Sequence, residues 1–173
     1  MSEKKLEGAG LRGQVAGKTS LSTVGKAGTG LTYRGYPIEV LSEKAKFEEI
    51  AYLLMYGALP TNDEYKEYSN KLISMRSLPD SILEVLERIP ASAHPMDVMR
   101  TGCSMLGNVE PEGEFTNQQE SADRILATMA SIIVYWYKYS HEGEKVKTSS
   151  DYETIGGHFL SLLHGKEPSE DQI

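Results

Sequence analysis

From about residue 41 onward, apolar positions recur with a helical period; before it they do not. Phe47, Ile50, Leu53 and Leu54 share one face, with Ser42 as a candidate N-cap and Gly57 as the stop. Pro60 precedes Thr61-Asn62-Asp63-Glu64, a capping box in which Thr61 and Glu64 satisfy each other's free amides. Tyr65, Tyr68, Leu72 and Met75 follow at helical spacing, and Pro79 closes that segment. Ile82, Val85, Leu86 and Ile89 predict a short helix that Pro90 ends. His94-Pro95 opens another, with Met96, Met99, Cys103 and Leu106 on one side and Gly107 at its end. Residues 108–118 read as a loop. A long helix is predicted from Ser121 to about Tyr139, apolar over much of its surface through Ile125, Met129, Ile132, Ile133 and Trp136. A polar loop covers 140–150, and a last helix runs from about Thr154 to His164 before Gly165. The tail Glu167-Pro168-Ser169-Glu170-Asp171 has the form of one more helix start.

Residues 7–35 read differently, with Gly at 8, 10, 13, 17, 25, 28, 30 and 35. Ser20–Val24 and Leu31–Tyr33 alternate in polarity around a Gly25–Gly30 turn and predict two short strands, a small hairpin. So small a hairpin is marginal alone and must lean on something larger. The chain therefore divides into a Gly-rich arm with a hairpin over 1–40 and a helical part over 41–173. The expected class is mainly α, a packed multi-helical architecture. The long helix bearing Trp136 is too apolar for a surface helix and is either central or part of a subunit interface.

Composition narrows the function. The 173 residues suit one ordinary domain, and 39% hydrophobic with 25% charged residues is ordinary globular composition. A net charge of −7 argues against a basic nucleic-acid-binding domain. The lone Cys103 excludes an intramolecular disulfide and makes a reducing, cytoplasmic location the expectation. No run approaches the roughly 20 apolar residues of a membrane span, and the start lacks the apolar core of a secretory signal.

Candidate chemistry is sparse. Gly13–Thr19 lies near a phosphate-binding loop, but the pattern needs Gly at position 12, where Arg12 stands. A Gly-rich connector is the better reading. No metal site is expected: His158 and His164 lie about 240° apart around one helix and cannot chelate one ion. Cys103 sits in an apolar stripe, which favours packing over nucleophilic use. His94 falls at a helix N-terminus, where its ring can bind a backbone group. Arg100 is either a solvated charge or an anion donor. The aromatic run Tyr135–His141 fits core or interface packing better than base stacking.

Several segments in order resemble the citrate synthase family, and within it the 2-methylcitrate synthase branch. They are Leu6-Glu7-Gly8, Leu31–Ile38, Phe47–Leu54, Gly57–Thr61 and His94–Gly102, with the branch-like Tyr135–Glu144 and Ile155–Leu160. The resemblance covers essentially the whole chain. It implies an enzyme that joins an acyl-CoA to oxaloacetate, with propionyl-CoA as the donor in this branch and acetyl-CoA in citrate synthase itself. The CoA thioester is a substrate and no cofactor is implied. The family's catalytic histidines and aspartate have no counterpart here, so no catalytic residue is assigned and those groups are expected beyond residue 173. The resemblance thus implies the N-terminal portion of the large domain, incomplete at its C-terminus and inactive alone. It places Met96, Met99, Cys103 and Leu106 at a homodimer interface. Arg34 and Arg76 are its candidates for supporting an anionic substrate, against a capping or surface role for each. A non-catalytic helical dimerisation module is the rival from another class.

Overall fold

The structure, a computed structural model, describes Val15, residues 17–25 and residues 30–169. The Leu6–Gly8 segment, Gly13, Gln14 and Ala16 of the Gly13–Thr19 loop, residues 26–29 of the Gly25–Gly30 turn and the end of the 167–171 tail lie outside the described residues. The chain divides between Lys44 and Ala45 into two compact units.

In the first unit, β1 (Ser22–Thr23), β2 (Thr32–Tyr33) and β3 (Tyr36–Pro37) form an antiparallel sheet in the order β1-β2-β3. The third strand adds to the predicted pair. Tyr33 pairs with Tyr36 across a two-residue turn in which Arg34 (φ 49°) and Gly35 (φ 91°) are both left-handed. That turn twists with its strands, but it is usually marked by Asn-Gly rather than Arg-Gly. Helix α1 (Ile38–Lys44) follows directly. Ser42 lies inside α1, its hydroxyl donating to the Glu39 carbonyl, and is not the N-cap of the next helix. That role falls to Lys46, whose extended backbone separates the two helices.

The second unit contains α2 (Phe47–Tyr56), α3 (Asn62–Ser74), α4 (Asp80–Leu86), α5 (Pro95–Val109), α6 (Gln118–Tyr137) and α7 (Ile155–His164). Local chemistry sets many of the ends. Thr61 and Glu64 form the expected capping box. The His94 ring accepts from the Met96 amide, with Pro95 in the first turn. Thr154 caps α7, and Gly165 ends it in the left-handed region. A single 3₁₀ turn (Phe115–Asn117) leads into α6, and a π turn (Lys138–Glu142) follows it.

Helix α6 is central: it packs against α3, α4, α5 and α7. One core cluster joins Leu78, Ile82, Leu86, Val98, Leu106, Ile132, Tyr135 and Trp136. A second gathers Tyr68, Leu72 and Ala127. The first two residues of the aromatic run pack in the core: Trp136 is buried and donates to the Ile89 carbonyl, and the Tyr135 hydroxyl donates to Glu87, whereas Tyr137 is exposed. The buried stripe of α5 is Val98, Gly102 and Leu106. At its middle the helices nearly touch, because a Cβ on Gly102 would lie 2.5 Å from Ile132 Cγ2.

Gly102→Ala therefore tests the crossing. Helix propensity alone favours Ala by about 1 kcal/mol, whereas overpacking costs about 1–3 kcal/mol. Urea unfolding is expected to show a net loss. A stabilised variant would mean that α5 and α6 are not in close contact there.

Candidate functional site

A cleft of about 1550 Å³ in the second unit opens beside α7. Its walls are the start of α2 (Ala45–Glu48), the stretch Val146–Thr154, and α7 with Gly165–Glu167. The 146–154 stretch contains no helix or strand and crosses the bundle as a strap. Charges of both signs line the cleft. Lys46 donates to Glu153 at 2.8 Å and lies over the Tyr65 ring, whose hydroxyl also donates to Glu153. The Glu153 and Tyr65 contacts raise the Lys46 ammonium above its ordinary value. Among the described residues, no histidine or cysteine lines the cleft.

Beneath the strap lies a polar core. Arg76 is wholly buried, and its guanidinium donates to the carbonyls of Ser150, Tyr152, Glu153 and Thr154. Burial pulls the guanidinium below its ordinary value, and the Glu48 and Asp151 carboxylates oppose that shift. Glu48, also buried, accepts from the Ile155 amide at 2.6 Å and so anchors the first turn of α7. His158 lies between two serine hydroxyls, with Nε2 at 3.0 Å from Ser131 Oγ and Nδ1 at 2.8 Å from Ser150 Oγ. Ser131 Oγ also lies 2.6 Å from the Thr148 carbonyl and 3.0 Å from that of Arg76. Since Ser131 has one proton to give to a carbonyl, His158 donates from Nε2 to Ser131 and accepts at Nδ1 from Ser150. Burial and nearby Arg76 push the His158 imidazole down to about 4, so it is neutral. A buried, neutral ring bound on both sides is a structural group.

A second polar core lies along α6. Asp123 is wholly buried and accepts from Tyr56 (2.8 Å), Tyr68 (2.9 Å) and Lys71 (2.7 Å). Burial and this carboxylate push the Tyr68 phenol up. Among the described residues, no group of three or more His, Cys, Asp or Glu side chains is placed to hold a metal ion. No helix among them is long and apolar enough to cross a membrane.

The candidates read from the sequence do not converge. Arg34 sits in the β2–β3 turn, Nη1 donating to Ser20 Oγ at 2.7 Å. Arg76 is committed to the strap, which is the capping role set against substrate binding. On α5, Met96 is 62% exposed, while Met99 and Cys103 are half-buried. Leu106 is 4% exposed and packs in this chain's own core cluster. Cys103 and Leu106 also border a smaller cavity of about 540 Å³, beside the Arg124–Glu110 ion pair. Sequence reasoning missed Glu48, Asp123, Ser131 and Ser150. For Glu48 a signal existed, since it falls one turn before Ala51 and Tyr52 on the packed side of α2.

The His158 pair of serines makes stability pH-dependent. Its folded value of about 4 lies below the ordinary 6.5, so the unfolded chain takes up the proton first as pH falls. The contribution is intact above 6.5 and is lost progressively toward 4. Between pH 7 and pH 5 the loss is about 2 kcal/mol, seen as the difference between the unmodified chain and His158→Gln in urea unfolding. Parallel curves for the two would contradict the assignment.

Comparison with known proteins places this architecture. The family model described as citrate synthase, C-terminal domain, matches residues 10–173. The 2-methylcitrate synthase of Shewanella oneidensis is 62% identical over 166 residues, which cover 96% of this chain and 44% of that protein. The crystal structure of citrate synthase from Thermotoga maritima matches with TM-score 0.78 at 30% identity, over 92% of this chain and 42% of that one. Citrate synthase from Thermoplasma acidophilum, in a ternary complex with carboxymethyl coenzyme A and oxaloacetate, has the same fold. Its TM-score is 0.81 at 22% identity, over 93% of this chain and 43% of that one. The chain spans less than half the length of these relatives. With the matched region taking in both the hairpin and the α6-centred bundle, the chain belongs to the citrate synthase family.

Proposed function

We propose that the chain is part of a 2-methylcitrate synthase, which condenses propionyl-CoA with oxaloacetate and water to 2-methylcitrate and CoA. The observation that carries this reading is the 62% identity, over 96% of the chain, to the Shewanella oneidensis 2-methylcitrate synthase. Oxaloacetate and a carboxymethyl analogue of the thioester in the Thermoplasma acidophilum complex support the two substrate classes.

The chemistry sets what the whole enzyme must supply. A thioester α-proton is weakly acidic, so its removal by a carboxylate has to be coupled to stabilisation of the enol oxygen. The enol carbon then attacks the ketone of oxaloacetate, and hydrolysis of the thioester releases CoA. The histidines of this chain do not take these roles in the proposal: His158 is locked between serines, and His94 caps a helix. The catalytic groups belong to sequence outside these 173 residues, and this chain supplies scaffold. Arg34 supports an anionic substrate from its turn, while Arg76 holds the strap. The Met96–Met99–Cys103 side of α5 pairs subunits of a cytoplasmic homodimer. No cofactor beyond the thioester substrate is required.

The test is thiol release from propionyl-CoA or acetyl-CoA with oxaloacetate. The whole protein is expected to show the higher kcat/KM with propionyl-CoA, and the 173-residue chain alone is expected to release no thiol. Turnover by the chain alone would sink the scaffold assignment. A preference for acetyl-CoA would replace the reading with citrate synthase.

A further inference from the structure

The strap has an attachment whose logic differs from that of the apolar cores. One guanidinium, that of Arg76, takes four main-chain carbonyls between Ser150 and Thr154. The next main-chain group, the Ile155 amide, donates to Glu48. Arg76 and Glu48 therefore grip the two sides of one peptide link, the carbonyl of Thr154 and the N–H of Ile155. Glu48 comes from α2 and Arg76 from the segment just after α3, both remote in sequence from the strap they hold. Each also keeps one buried atom without a hydrogen-bond partner, Nε of Arg76 and Oε2 of Glu48. Two buried opposite charges in that situation compensate each other, and either one alone is a costly unpaired charge.

We infer that residues 149–154 of the strap are a latch, held shut by the Glu48–Arg76 charge couple, that covers His158 and opens as one unit. Its dependence on two coupled charges makes release all-or-none. Once Arg76 loses Glu48, its hold on four carbonyls weakens together. Ser150 is the strap residue seated on His158 Nδ1, so opening lifts the cover from that ring. The same strap forms one wall of the large cleft, through Lys147, Ser149 and Asp151. Opening from Ser149 onward reshapes the cleft, while Val146 stays packed against the cluster around Trp136 and Thr148 keeps the Leu78 amide.

Reaction of the purified protein with diethylpyrocarbonate at pH 7, followed by peptide mass mapping, reads the latch directly. Exposed His141 and His164 serve as internal standards. In the unaltered protein His158 is expected to react at least tenfold more slowly than these two. Glu48→Gln is expected to speed its reaction tenfold or more, with Trp136 fluorescence and far-UV circular dichroism unchanged. In Glu48→Gln combined with Arg76→Met, both buried charges are gone, and reactivity is expected to fall below that of Arg76→Met alone. Unchanged reactivity in Glu48→Gln, or independent effects in the double variant, would overturn the proposal. If Arg76→Met does not fold, native-state hydrogen exchange of the unaltered protein decides. Amides from Ser149 to Ile155 exchanging together, and faster than the α6 core, support the latch, whereas exchange only on global unfolding contradicts it.

Discussion

A guanidinium taken wholly out of water is the constraint around which the larger unit is arranged. Arg76 keeps its charge when buried, so its two terminal nitrogens demand acceptors. The strap supplies them as four carbonyls, and its course over the bundle follows from that demand. The carbonyl of Arg76 itself lies within hydrogen-bond reach of Ser131 on α6, whose hydroxyl also meets Thr148 of the strap and His158 of α7. One residue thus ties α6, the strap and α7 together. The apolar clusters supply the non-directional stabilisation, and the polar contacts determine which strap atoms meet which helix.

Helix α6 carries two such polar cores on one rod. Near its start, Asp123 gathers two phenols and Lys71 from α2 and α3. About two turns later, Ser131 gathers the strap and α7. Between and around them, Ala127, Ile132, Tyr135 and Trp136 bury the apolar surface. Close approach at Gly102 lets α5 lie directly on Ile132, so the rod has a partner on several faces. This resolves why the sequence of α6 is apolar over so much of its circumference: it is a central helix.

Helix positions were legible where the controlling chemistry is local. The Thr61–Glu64 box, the His94-Pro95 start and the Thr154 to Gly165 bounds of α7 each lie within a few residues of what they fix. The hairpin was legible only in part, because the Arg34-Gly35 turn uses a left-handed arginine that no common turn signal announces. Ser42 misled because it has the chemistry of a cap yet falls within α1. The polar cores were hidden for a different reason. Glu48 and Ile155 are 107 positions apart, and Lys71 and Asp123 are 52 apart. No spacing rule connects such pairs, and a charged residue in a helix reads as a solvated face until the partner is seen. Arg76 illustrates the consequence for function: as a residue type it suggests anion binding, and its burial assigns it to the strap.

In this account the geometry of the larger unit is fixed by Arg76, in a chain that belongs to the citrate synthase family. The most direct test is the unfolding free energy of Arg76→Leu and Arg76→Lys in urea. Leu leaves four carbonyls without their donor and the buried Glu48 carboxylate without an opposing charge, and is expected to cost about 3–5 kcal/mol. Lys keeps the charge but cannot fork to several acceptors, so it should recover only part of that loss. If Leu instead costs less than about 1 kcal/mol, within the range of an ordinary surface change, the strap is held by something else and the account fails.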